Sequence, residues 1–125
     1  MMHIITQKVT HAMKNLERIK NRYLKDPWPT RLAGLAADLG RVSSSARHAA
    51  GSESVAQMLE ESQYFIEWTA AELEPEIAAE LVKIQVMIAL WRNAWPEAQQ
   101  SPRQRTILSA QTKIWADQIL RYAGF

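Results

Sequence analysis

The sequence predicts an all-α fold, a single-domain antiparallel bundle of about five helices. Three observations predict it. Apolar residues recur at helical spacing throughout, no alternating run of β-branched residues and no Asn-Gly or Asp-Gly hairpin turn occurs, and prolines and glycines cut the chain into pieces of helix length. With 125 residues, 47% hydrophobic and 22% charged, the chain is long enough for one core, and a single domain over 1–125 is expected. Such a domain buries roughly two thirds of its unfolded surface.

The first helix is expected from about His3 to Lys25, with Ile5, Val9, Ala12, Leu16, Ile19 and Tyr23 on one stripe. Asp26-Pro27-Trp28-Pro29 ends it, because a residue before proline is pushed out of the α region. A second helix follows from about Thr30 to Ala49, its core face Leu32, Leu35, Ala36, Leu39, Val42 and Ala46, with Gly51 as its stop. Ser52 is expected to cap a third helix whose face is Val55, Met58, Leu59, Ser62, Phe65 and Ile66. Pro75 suits the start of a fourth, and Trp95-Pro96 is expected to close it. Ser101-Pro102-Arg103-Gln104 combines a serine cap, a first-turn proline and a glutamine at the capping-box position, so a fifth helix runs from there to about Tyr122, before Gly124.

Composition removes several classes of function. The absence of cysteine excludes disulfide scaffolds, thiolate metal sites, thiol catalysis and covalent haem attachment. The opening MMHIITQKVTHAM lacks the basic and apolar regions of a secretory signal, and the longest apolar stretch, Val86 to Trp91, is far short of the ~18 residues a membrane span needs. A cytoplasmic protein without a membrane association is expected. None of the three histidines, His3, His11 and His48, has a glutamate three residues before it, as a di-metal carboxylate bundle requires. Phosphate-binding loops, EF-hand loops, zinc-protease and serine-hydrolase motifs are also missing, so no metal and no cofactor are expected.

The net charge of +2 hides a split. Residues 1–50 carry nine Lys/Arg against three Asp/Glu, residues 51–100 two against nine, and residues 101–125 four against one. The acidic middle is expected to lie against basic ends, within one chain or between two copies. On the first helix Lys14, Arg18 and Arg22 repeat every four residues, where like charges repel, so a negative neighbour is expected. The row is a solvated face or lies against the acidic middle, and the alternative is a nucleic acid or another anion.

Two apolar features point to protein partners. The second half of the fourth helix is apolar almost all round, with Val86, Met87 and Leu90 continuing what begins as a polar stripe. Such a helix belongs at the centre of the bundle or under another subunit. Tyr64 and Trp68 are neighbours among Glu60, Glu61 and Glu67 on the outer face of the third helix, the composition of an interaction hot spot or of a seat for another helix of the same bundle. On the fifth helix Gln111 and Gln118 interrupt the stripe of Ile107, Leu108, Ile114, Trp115, Ile119 and Tyr122 and must find partners or water.

Arg41 and His48, seven residues apart on the second helix with Ser44 and Ser45 between them, resemble the Arg-x(4 to 6)-His signature of the HEPN superfamily of helical RNases. The resemblance implies a metal-independent ribonuclease with both residues at the scissile phosphate. It covers eight residues, and it departs from the superfamily in the apolar Val42 and in the motif's early place in the chain. The segments DPWPTRLAGLAADLGRVSSSAR, FIEWTAAELEPEIAAELVKIQ and LWRNAWP are similar to small all-helical proteins of cyanobacteria. That resemblance covers about two fifths of the chain and implies a cytoplasmic helical domain with no known activity. Weighed together, the residues favour a homo-oligomer, a dimer before other states, acting as a non-enzymatic interaction or regulatory module with an unknown protein partner.

Overall fold

The structure, a computed structural model, describes residues 15–125, and all of its regular structure is helical. The earlier part of the first predicted helix, with Ile5, Val9, Ala12, His11 and Lys14, lies outside the described residues. Residues 15–24 form α1. Then follow α2 (Trp28–Ala46), α3 (Ser52–Ala70), α4 (Pro75–Ala98) and α5 (Pro102–Tyr122), with a short 3-10 turn at Ala49–Gly51 between α2 and α3.

The central helix is α2, packed against α3 on one side and α5 on the other. Its Leu32, Leu35, Leu39, Val42 and Ala46 are all fully buried. They meet Val55, Leu59 and Ile66 of α3, Leu81, Ile84 and Ile88 of α4, and Leu108, Trp115 and Ile119 of α5 in one core. The fourth helix packs mainly on α3 and touches α5 only lightly. Its predicted place at the centre of the bundle is therefore corrected: α4 is an outer helix, because α2 already fills the middle with an apolar face flanked by small residues.

Several element boundaries differ from expectation for local reasons. The second helix stops at Ala46, after three serines with weak helix preference, and the Ser45 carbonyl accepts from the backbone of both Arg47 and His48. Gly51 is not a left-handed stop, since its φ is −87°. A Cβ there would sit 2.4 Å from the Ser45 carbonyl oxygen, so the chain needs glycine for close approach. Ser52 does not cap α3; its hydroxyl donates back to the Ala49 carbonyl at 2.8 Å. Pro96 lies inside α4, which continues to Ala98 through Gln99 N–H donating to the Trp95 carbonyl at 2.9 Å. A proline one turn from the end removes a single helical donor, and the helix runs on past it.

The fifth helix begins and ends as predicted. The backbone N–H of Gln104 donates to Ser101 Oγ at 3.2 Å. At the other end Gly124, at φ 93°, lets the Phe125 N–H reach the Leu120 carbonyl and its own N–H reach that of Arg121, the Schellman arrangement.

Candidate interaction surface

Trp68 is part of the seat of α1. The Trp68 ring lies 5.9 Å from Tyr23 of α1 and 6.0 Å from Phe65, while Tyr23 stacks flat on Phe65 at 4.1 Å. Tyr64 stacks on Trp68 at 5.5 Å, and the Lys20 ammonium sits 5.9 Å from the Trp68 ring centre. The Tyr23 hydroxyl is held 2.9 Å from Thr69 Oγ1 and donates toward the Arg31 carbonyl at 3.2 Å. Burial pushes the Tyr23 hydroxyl up to about 12, so it stays a neutral donor. Of the two readings of this aromatic pair, Trp68 fits the seat for a helix of the same bundle, and Tyr64 packs on its ring.

The charge split is partly resolved within the chain. Arg31, from the basic half, is buried and pairs with Glu72 of the acidic middle. The same guanidinium donates to the Asp26 carbonyl at 2.7 Å and the Leu24 carbonyl at 3.4 Å, closing the end of α1. Burial, helped by the negative charge of Asp38, raises the Glu61 carboxyl against the opposing pull of Arg41 and, more weakly, of Arg22. Arg18 and Arg22, with Glu17, Asn21 and Lys25, line an open groove of about 450 Å³ along α1. Arg18 donates to Asn15 at 2.7 Å, and Lys14, the third member of the predicted basic row, lies outside the described residues.

Arg41 and His48 are not brought onto one helix face. The helix ends two residues before His48, which is extended at φ −120° and ψ 133° and exposed. Arg41 pairs with Asp38 one turn earlier. Asp38 is itself buried, its second carboxylate oxygen has no hydrogen-bond partner among the described residues, and burial raises its pKa against the opposing pull of Arg41. Nothing in the sequence pattern singles out Asp38, which occupies a core-facing position of α2 in place of an apolar residue.

The apolar surface left open lies on α4 and α5. Val82, Val86 and Leu90 follow one another at four-residue steps on the outer side of α4, with Met87 beside them, and Ile107 and Ile114 stand on α5. These six are between 37% and 63% exposed, while Leu81, Ile84, Ile88 and Trp95 carry the packing of α4. The two helices are tied near this surface by Trp91 Nε1, which donates to Gln111 Oε1 at 2.7 Å. Gln111 thus finds the partner its place demanded, and Gln118 donates to the Tyr122 hydroxyl at 2.7 Å. Sequence periodicity picked out Val86, Met87 and Leu90 but counted Ile107 and Ile114 with the core. The inward face of α5 instead carries Ser109 and Thr112, whose hydroxyls disguise their burial.

Among the described residues no group of three or more potential metal ligands occurs, and no helix is long and apolar enough to cross a membrane. Comparison of the chain with protein-family models, with curated proteins and with solved structures gives no match in any of the three.

Proposed function

We propose that the chain is a non-enzymatic interaction or regulatory module of the cytoplasm, and that it docks a protein partner on the outer face of α4 and the adjoining turns of α5. The observation that carries this reading is the run of Val82, Val86, Met87 and Leu90 with Ile107 and Ile114, all substantially exposed. Six large apolar side chains at such exposure present on the order of 500 Å², the upper part of what the largest patch on a monomer usually shows and often a mark of binding. Stability of the bundle does not require them there, since the packing of α4 rests on its opposite side.

A photoreactive side chain placed at Leu90 in cells tests the reading against one placed at Gln57, exposed on α3. Covalent capture of protein at the first position and not at the second supports it. Equal or no capture at both positions overturns it.

A further inference from the structure

We propose that the occupant of this face is a second copy of the chain, with the two α4 helices crossing antiparallel about a two-fold axis at Leu90. This rests on the reading of the face as a docking surface. Lys83 stands seven residues before Leu90 and Glu97 seven after it, and seven residues make close to two full turns. The three therefore share one line along the exposed side of α4, where all are exposed. An antiparallel pairing about Leu90 sets each Lys83 against the partner's Glu97, so that two ion pairs of opposite polarity flank one Leu90–Leu90 contact. A parallel pairing would set like charge against like.

One neighbouring pair of positions obeys the same symmetry. Val86 and Ala94 lie four residues either side of Leu90, and both are exposed, so apolar meets apolar. Farther out, the acidic start of α4 at Glu74 and Glu76 is carried toward the basic start of α5 in the partner. Within one chain Lys83 has only Glu80 at 3.0 Å, one turn away and exposed to solvent, and Glu97 has no ion pair among the described residues. Both charges are free to turn outward.

The test is the mass of the full chain by light scattering and sedimentation equilibrium, for wild type, Lys83→Glu, Glu97→Lys, the double exchange, and Leu90→Glu. Wild type is expected at twice the chain mass. Each single charge reversal creates two like-charge contacts and is expected to weaken association at least about tenfold. The double exchange restores it to within about threefold of wild type, and Leu90→Glu leaves a folded monomer. A wild type that remains at one chain mass at about 200 μM overturns the inference, as does a dimer indifferent to both single reversals. Capture of a different protein at Leu90 alongside a monomeric wild type would overturn the second copy while leaving the docking surface in place.

Discussion

Ser43 and Ser109 exchange hydrogen bonds across the contact of α2 and α5: each hydroxyl donates to the other's backbone carbonyl, at 2.7 and 2.6 Å. Arg47 donates to Ser109 Oγ from the next turn at 3.2 Å. Such reciprocity requires the two backbones to run close together. The buried residues around the pair allow it, being small on both sides, Ala36 and Ala46 on α2 and Thr112 and Ala116 on α5. Thr112 meets its own need by donating to the Leu108 carbonyl at 2.9 Å.

This pair predicts a graded response. Ser43→Ala removes one neutral hydrogen bond and should cost about 1 kcal/mol, whereas Ser109→Ala also takes away the acceptor of Arg47 and should cost about 2 kcal/mol. Ser109→Leu forces bulk between the closest pair of helices and should cost about 3 kcal/mol. Urea midpoints of the four proteins check the order; a Leu variant as stable as the Ala variant would mean that α2 and α5 are not closely packed.

The 3-10 turn predicts opposite signs for two glycine substitutions. Gly51→Ala drives a methyl into the Ser45 carbonyl and should destabilise by about 2 kcal/mol. Gly34→Ala lies within α2 with nothing within 4 Å of the added carbon, so it should stabilise by about 0.5 to 1 kcal/mol. Thermal unfolding of both variants measures the difference directly.

Asp38 and Glu61 predict the direction of a pH dependence. Burial raises both carboxyls above their ordinary values, so over that interval the folded chain binds more protons than the unfolded one. Their contribution to stability is complete below the ordinary carboxylate value and is lost as pH rises through the raised one. Asp38→Asn removes the Asp38 part of this slope, and at neutral pH it should be at least as stable as wild type, because Arg41 remains mostly in water. Urea unfolding from pH 4 to 8 checks it. An Asp38→Asn protein that loses stability at neutral pH would show that the Arg41 pair outweighs the cost of burial.

The helical content, four of the loop regions and the capped start of α5 were legible because they depend on local chemistry: proline geometry, a serine cap, and spacing along one turn. Packing order was not legible. Apolar periodicity marked α4 as the most hydrophobic helix and so the natural centre, yet α2 holds that place because small residues let α5 approach it. Polar residues in the core, Ser43, Ser109 and Thr69, read as surface positions until their partners on other helices are known. Trp68 stands out among the carboxylates of α3, but its partner Tyr23 is more than forty residues away in sequence. Val86, Met87 and Leu90 were legible as candidates, since an apolar stripe that continues a polar one stands out in any single helix.

The outer face of α4 and α5 is expected to be covered when the chain works. Hydroxyl-radical footprinting in living cells, compared with the purified chain at high dilution, tests it at side-chain level. Val86, Met87, Leu90 and Ile114 are expected to react in the dilute chain and to be protected several-fold in cells, while Leu24 and Trp28, exposed elsewhere, react alike in both. Equal reactivity of the four in cells and in dilute solution would contradict it.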